Sequence, residues 1–263
     1  MAGYRPQAFY RERRARRLRE VDEEAVVALV KQHRKLHPRL GTRKLVVVMS
    51  AQLADLGISL GRDRLFRMLR ERGLLIKRRR GMRTTDSRHG FRIWPNLVRN
   101  VVPAMVNQVW VSDITFIRTE EGFMYLALVM DAFSRKIVGY NISESLAAEG
   151  CIGALKMALE DLPAHACPIH HSDRGLQYCC HDYIVLLEKR GSPISMTEIN
   201  HCYENAKAER LNGILKQEYL LGQTFRDKKQ AAVAGRQAVL LYNACRPHIS
   251  LGYRTPELVH AAA

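Results

Sequence analysis

The sequence predicts an α/β domain covered by helices, preceded by a small, basic all-α domain. Three observations predict it. Apolar residues in the first third recur at three- and four-residue spacing, broken by glycine and proline. From Val109 the pattern changes to short runs of β-forming residues, which later alternate with helical segments. Charge divides the chain in the same way: residues 1–100 hold 26 Lys and Arg against 9 Asp and Glu, whereas the other 163 hold 16 against 17. A basic front joined to a nearly neutral back suggests a binding module followed by a different activity. The chain of 263 residues, net charge +16, has room for a real core and points to an anionic partner such as nucleic acid.

Residues 1–37 read as a basic arm and a helix. The arm carries Arg5, Arg11, Arg13, Arg14, Arg16, Arg17 and Arg19, and a segment so charged needs a partner to order it. Asp22 to Leu36 has helical spacing, with Asp22, Glu23 and Glu24 at the positive end of the helix dipole and Pro38 beyond its end.

Residues 38–80 read as a helix-turn-helix DNA-binding domain. Thr42 is the expected N-cap of a helix with the stripe Leu45, Val46, Met49 and Leu53, stopped by Gly57. The next helix, about Gly61 to Arg72, sets Leu65, Met68 and Leu69 toward the core, with Phe66 flanking. Its other faces carry Arg62, Arg64, Arg67 and Arg70, followed by Lys77, Arg78, Arg79 and Arg80. Outward arginines on such a helix suit phosphates and guanine edges. A basic bundle that merely stays soluble is the plainer reading, and the concentration of charge in neighbouring segments favours DNA. Residues 81–106, with Gly81, Gly90, Pro95 and Pro103, form a basic linker in which Phe91, Ile93, Trp94 and Leu97 are candidates to dock.

Residues 107–223 carry the α/β pattern. Strands are expected over Val109–Ile117, Phe123–Asp131, Ile137–Ile142, Ile169–Ser172 and Pro193–Met196. Helices are expected over Ala147–Leu159, His181–Lys189 and Asn205 to about Leu221. Three meandering strands followed by alternation is the order of the ribonuclease H-like fold, a mixed five-stranded sheet with flanking helices. Residues 224–263 read as a C-terminal helical extension.

Asp113 lies in the first strand, and a carboxylate there is costly without a partner or a metal. Asp173 ends the fourth strand, where Gly175 permits a tight turn and Gln177 follows. Glu209 lies on the last helix, with 35 residues between it and Asp173. On that helix Asn205, Glu209, Asn212 and Lys216 share one side, away from the stripe of Leu211, Ile214 and Leu215. Lys216 falls about 10 Å beyond Glu209 along the axis, placed to hold a DNA phosphate. Meeting at the strand ends, Asp113, Asp173 and Glu209 would hold two Mg²⁺ (or Mn²⁺) ions, because hard cations take oxygen ligands. In phosphodiester chemistry one ion activates the attacking oxygen and the other stabilises the leaving one. Gly175, Gln177 and Asn205 are the site-shaping candidates. Asp131, a further strand carboxylate, is expected to cap the turn at Ser134 rather than bind metal. His170, His171, His201 and His248 are expected to pack.

The residues Trp110-Val111-Ser112-Asp113-Ile114-Thr115, Met130-Asp131-Ala132-Phe133-Ser134-Arg135-Lys136, His171-Ser172-Asp173-Arg174-Gly175 and Asn205-Ala206-Lys207-Ala208-Glu209 carry a resemblance. So do Tyr242-Asn243, Arg246-Pro247-His248 and Leu251-Gly252-Tyr253. From about residue 38 onward the chain resembles the DDE transposases of bacterial insertion sequences, whose catalytic core is shared with retroviral integrases. More narrowly it resembles the second reading-frame protein of the IS3 group. Glu204 stands where that family usually has Asp, and the turn at Leu40-Gly41-Thr42 lacks the usual aromatics. The resemblance implies that Asp113, Asp173 and Glu209 are catalytic metal ligands. It implies cleavage at insertion-sequence ends and attack of a free 3′-OH on target DNA, with no covalent protein–DNA intermediate. It also implies double-stranded DNA as substrate, a homo-oligomer on that DNA, and an upstream-frame partner or fusion. That upstream product supplies a further helix-turn-helix and a leucine zipper. The present sequence has neither and is expected to lack terminal-repeat recognition alone.

Two other readings stand beside this one. A non-catalytic DNA-binding regulator or inhibitor of transposition would keep the basic front and need no carboxylate triad. A general nuclease or resolvase on the same fold would not need the front domain or Lys216. The six cysteines form no C-x-x-C pair, and Cys179, Cys180, His181 and Cys202 fit no common zinc spacing. No signal peptide or membrane-spanning run is read, so a bacterial cytoplasmic, nucleoid-associated protein is expected.

Overall fold

The computed structural model describes residues 22–76, 92–198 and 205–263, which fall in two compact units, 1–78 and 79–263. The arginine arm, Lys77, Arg78, Arg79, Arg80, Phe91, His201, Cys202 and Glu204 lie outside the described residues.

In the first unit α1 covers residues 22–36, followed by α2 (Thr42–Val48), α3 (Ser50–Asp55) and α4 (Arg62–Glu71). Val26, Val30, Leu40, Leu45, Met49, Leu53, Leu65, Met68 and Leu69 form one buried core. The single helix expected from Thr42 is broken at Met49, which separates α2 from α3. Thr42 is not the cap. Gly41 holds that position in an extended conformation, and its carbonyl accepts from the Lys44 and Leu45 amides, so Thr42 is already helical. Gly57, with φ 65°, ends α3 in the left-handed region that glycine adopts without strain.

The second unit is built on one mixed sheet of β1 (Val109–Thr119), β2 (Gly122–Asp131), β3 (Ile137–Ser143), β4 (Ile169–Ser172), β5 (Ile194–Met196) and β6 (Thr224–Phe225). The order is β3-β2-β1-β4-β5, with β6 also on β1. The first three strands are antiparallel, and β4, β5 and β6 join in parallel. This is the ribonuclease H-like arrangement expected from the element order. The five expected strands all form, and β6 corrects their number to six. At two residues β6 is too short to leave a periodic signal.

One face of the sheet packs on α5 (Ala148–Glu160) and α7 (His181–Arg190), whose Leu155, Tyr183 and Leu187 share a core with Trp110, Ala127 and Val129. The short helix α6 (Leu176–Cys179) precedes α7. The other face packs on α8 (Ala206–Glu218) and α9 (Lys228–Cys245). Leu211, Ile214 and Leu215 of α8, and Ala231, Val239 and Tyr242 of α9, share a core with Val109, Val111, Ile117 and Leu126. Residues 224–263, which include α10 (Pro256–Ala261), thus add a strand and core-forming helix to the domain. Part of the expected linker is docked as well. The Leu97 amide donates to Ser195 Oγ at 2.9 Å, the Asn96 amide to Glu198 at 2.9 Å, and Trp94 packs against the α5–α7 core.

Candidate active site

The site begins with a gap along the edge of β1. β4 pairs with β1 only at Val109–Val111, and β6 only at Arg118–Thr119. Between them that edge of residues 112–117 faces α8 instead of a strand. Asn205, buried at the start of α8, donates from Nδ2 to the Ser112 carbonyl at 3.1 Å. It thereby satisfies a backbone acceptor that the departing β4 leaves behind. Two turns along, Asn212 donates from Nδ2 to Asp113 Oδ2 at 2.7 Å. The other oxygen, Oδ1, accepts from the Ile114 amide at 2.9 Å. Asp113 is therefore fixed from both sides, by its own strand and by α8.

Asp173 stands just past the end of β4. Its Oδ1 accepts from the Gly175 amide at 2.9 Å. A Cβ on Gly175 would lie 3.0 Å from Asp173 Oδ1 and 3.1 Å from Gln177 Oε1, so the turn is shaped around a missing side chain. Gln177 is anchored by Nε2, which donates to the Leu146 carbonyl at 2.8 Å. Glu209 sits in the first turn of α8 and is exposed.

The three acids act on one another. The Asp113 carboxyl is raised to about 7, first by burial, then by the charge of Asp173, with Glu209 adding to the effect. The Ile114 amide and the Asn212 side chain oppose it. Like charges gathered in a half-buried cleft favour the neutral acid. The acids are electrostatically coupled rather than fully converged: among the described residues, no three His, Cys, Asp or Glu side chains are grouped closely enough to hold a metal ion. All the donors are carboxylate oxygens, which fit a hard divalent cation rather than zinc or copper. Lys216 places Nζ 3.8 Å over the Phe116 ring. Burial lowers its pKa, against the pull of Asp113.

Behind the site lies a buried polar layer. His170 Nε2 lies 2.8 Å from Ser112 Oγ and 2.7 Å from the Tyr183 hydroxyl. Burial, then the neighbouring His171, hold the His170 ring down to about 3, so it is neutral. His170, His171 and His248 are buried and hydrogen-bonded, in line with packing roles. Asp131 caps its turn as expected: Oδ1 accepts from the Ser134 amide and hydroxyl, each at 2.7 Å, and Oδ2 from the Asn107 amide at 2.8 Å.

Arg62, Arg64, Arg67 and Arg70 all lie on α4 in the first unit, around its buried Leu65–Met68–Leu69 face. Arg62 pairs with Asp63 at 2.7 Å, and Arg70 stacks over Phe66 at 4.8 Å. Asn212 gained no role from the sequence beyond its place on the Glu209 face. Its spacing, three residues past an acid on an amphipathic helix, was the signal available. The carbonyl bond of Asn205 had none, because it depends on where β4 ends.

Two integrase core domain profiles match, over residues 103–202 and 190–256. The 31 kDa protein of insertion element IS600 from Shigella sonnei is 38% identical over 241 residues, 90% of this chain and 87% of that one. The transposase InsF of IS3A from Escherichia coli is 35% identical over 72% of this chain and 67% of its own. The IS629 transposase of Shigella sonnei is 31% identical over 84% and 73%. This chain is a member of the IS3-group DDE transposases. It is accordingly a polynucleotidyl transferase acting in DNA recombination, and the non-catalytic reading gains no support. Among solved structures, the HTLV-2 integrase catalytic core domain in complex with magnesium aligns at TM-score 0.47 and 18% identity, over 60% of this chain and 98% of that one. A simian T-cell lymphotropic virus intasome structure aligns at TM-score 0.49 and 16% identity, over 88% and 74%. The fold of the transposase rests on its own strand order. Among the described residues, no helix is long and apolar enough to cross a membrane.

Proposed function

We propose that Asp113, Asp173 and Glu209 are the catalytic metal ligands of this transposase, holding two Mg²⁺ or Mn²⁺ ions for cleavage at insertion-sequence ends and transfer of the 3′-OH to target DNA. The observation that carries this reading is the placement of the three acids around one strand end. Asp113 is fixed on β1 by Asn212 and the Ile114 amide, Asp173 is held by the Gly175 amide just past the parallel neighbour β4, and Glu209 sits in the first turn of α8. Burial and the charges of Asp173 and Glu209 raise the Asp113 carboxyl. An excess of negative charge held in place by dedicated hydrogen bonds is what a divalent cation offsets. The bound ions would lower the pKa of the attacking hydroxyl and stabilise the leaving oxygen. The chain's own residues position the reaction. Asn212 and the Ile114 amide orient Asp113, and the Gly175 amide orients Asp173. Gln177, anchored to Leu146, walls the turn. Lys216 is suited to a phosphate beside the reacting one. The transfer exchanges one phosphodiester for another: a bond forms from the attacking 3′-oxygen to phosphorus, and the bond to the target's 3′-oxygen breaks.

In this reading residues 38–80 bind duplex DNA through Arg62, Arg64, Arg67 and Arg70, continued by Lys77, Arg78, Arg79 and Arg80. The protein works as a homo-oligomer on DNA, with an upstream-frame product supplying terminal-repeat recognition, in the bacterial cytoplasm at the nucleoid. The test is a joining assay with a pre-cleaved DNA end bearing a free 3′-OH, Mg²⁺ or Mn²⁺, and an Asp173→Asn control. Joined product that disappears in the control is expected. DNA binding with neither joining nor nicking in both proteins would overturn the assignment and favour a regulator.

A further inference from the structure

Beside the carboxylates the β1–β2 hairpin carries an aromatic and cationic surface that phosphoryl transfer itself does not require. In the antiparallel register Arg118 lies opposite Phe123 and Phe116 opposite Tyr125, so the four side chains share one face of the hairpin. Phe116 and Phe123 meet diagonally, edge to face, with ring centroids 5.7 Å apart. The Arg118 guanidinium lies 5.8 Å from both ring centres. Lys216 belongs to α8, which packs on the other face beside Ile117, and it reaches round the open edge of β1 to Phe116. The contacts run from Lys216 through Phe116 and Arg118 to Phe123, and Lys216 is the member that also feels the charge of Asp113 across the edge of β1.

The two faces of the hairpin are treated differently. Ile117 and Met124 on one face are buried in the α8–α9 core. Phe123 on the other face belongs to no buried cluster among the described residues and is 45% exposed. A large ring left open beside Arg118 offers the aromatic and cationic partners of a single-strand stacking platform, where aromatic faces take bases and cations take the backbone. The turn of this hairpin carries Glu120 and Glu121, the latter accepting from the Lys228 amide. A base inside a duplex has both faces covered by its neighbours and a terminal pair offers one shared face, so a base freed from the stack uses such a ring most fully. We propose that Phe123 stacks on an unpaired nucleobase of the DNA strand leaving the active site, with Arg118 and Lys216 holding its flanking phosphates. The site deepens the transposase reading and rests on it for the strand's position.

Equilibrium binding by fluorescence anisotropy, in EDTA, tests this with two probes: a DNA end forked into unpaired bases, and the same end fully paired. The wild-type chain is expected to prefer the fork. Phe123→Ala should weaken fork binding by about 5- to 100-fold, the range seen when a stacking aromatic is removed. It should leave duplex affinity and the salt slope unchanged, because no charge is lost. Phe123→Tyr should retain the preference. Phe123→Tyr should melt like the wild type, whereas Phe123→Ala, which loses its contact with Phe116, should melt somewhat lower, and binding is compared well below both transitions. No fork preference in the wild type, or a Phe123→Ala loss equal for both probes or absent, would overturn the proposal. Joining assays run in parallel separate the two ideas. Joining without a Phe123-dependent preference removes the shelf alone. A Phe123-dependent preference without joining removes the catalytic assignment and leaves a nucleobase site.

Discussion

Asp113 and Asp131 are both aspartates of the central hairpin, in β1 and β2, and the protein treats them in opposite ways. Asp131 has no solvent exposure, yet its two oxygens take three hydrogen bonds from Ser134 and Asn107. Asp113 is less buried, but it faces two further acids and is raised to about 7. Depth of burial therefore does not single out the carboxylate proposed as catalytic. What marks it is charge that the surrounding chain holds in place without neutralising it.

Asp131→Ala should break this contrast most forcefully. It leaves the Ser134 and Asn107 amides without their acceptor, and hydrogen bonds to a charged group contribute about 1.5–3 kcal/mol each. A loss of roughly 4–6 kcal/mol in urea unfolding is expected, with a smaller loss for Asp131→Asn, which keeps one acceptor. Joining activity per folded molecule should survive in Asp131→Asn. A selective loss of joining at unchanged stability would make Asp131 a functional acid and end the comparison.

The difference between the two aspartates was partly legible in the sequence. The Asp131 turn could be read because Ser134 lies three residues away, within one local motif. Asp113, Asp173 and Glu209 could be singled out because strand alternation and helical spacing place each acid on a known side of its element, and the family resemblance joined them as a set. What could not be read depends on where elements stop. The gap between β4 and β6 along β1 leaves the Ser112 carbonyl for Asn205 and opens the way for Lys216 to reach Phe116. A two-residue β6, the four-residue α6 and the break at Met49 are too short to impose a periodic pattern. Docking of residues 95–99 beside β5 joins the Asn96 and Leu97 amides and the Arg99 side chain to Ser195 and Glu198, partners too far away in the chain for any local spacing to pair them.

The pH dependence of stability should sharpen the contrast next. A carboxyl with a folded pKa above its unfolded value binds its proton more tightly when folded. Asp113, raised from 3.8 to about 7, therefore contributes stability that is fully present below pH 3.8 and lost as pH rises through about 7. The swing is up to about 4 kcal/mol, at 1.36 kcal/mol per pKa unit. Metal-free Asp113→Asn should unfold with a flatter profile over that window and be the more stable protein at pH 8. Magnesium should raise the wild-type melting temperature at pH 8 and leave that of Asp113→Asn nearly unmoved. Parallel pH profiles for the two proteins would show that the acids are not coupled in solution.

The smallest effect should come from Asn212, and it separates orientation from charge. Its Nδ2 donates to Asp113 at 2.7 Å, while its Oδ1 is buried without a hydrogen-bond partner. Asn212→Ala removes the donor and keeps every acid. The Asp113 carboxylate then loses the contact that turns it toward α8, while its bond to the Ile114 amide remains. Removing such an outer contact typically costs 10- to 100-fold in metal affinity, so Mn²⁺ binding should weaken by roughly that factor. Joining at saturating metal should fall much less, because the ion, once bound, re-imposes the carboxylate's direction. Asn212→Asp should be worse than alanine for metal-free stability, since it adds a fourth negative charge to the cleft, yet it should bind Mn²⁺ more tightly than alanine does. Equal Mn²⁺ affinity in all three proteins would mean that Asn212 only packs, and that β1 alone orients Asp113.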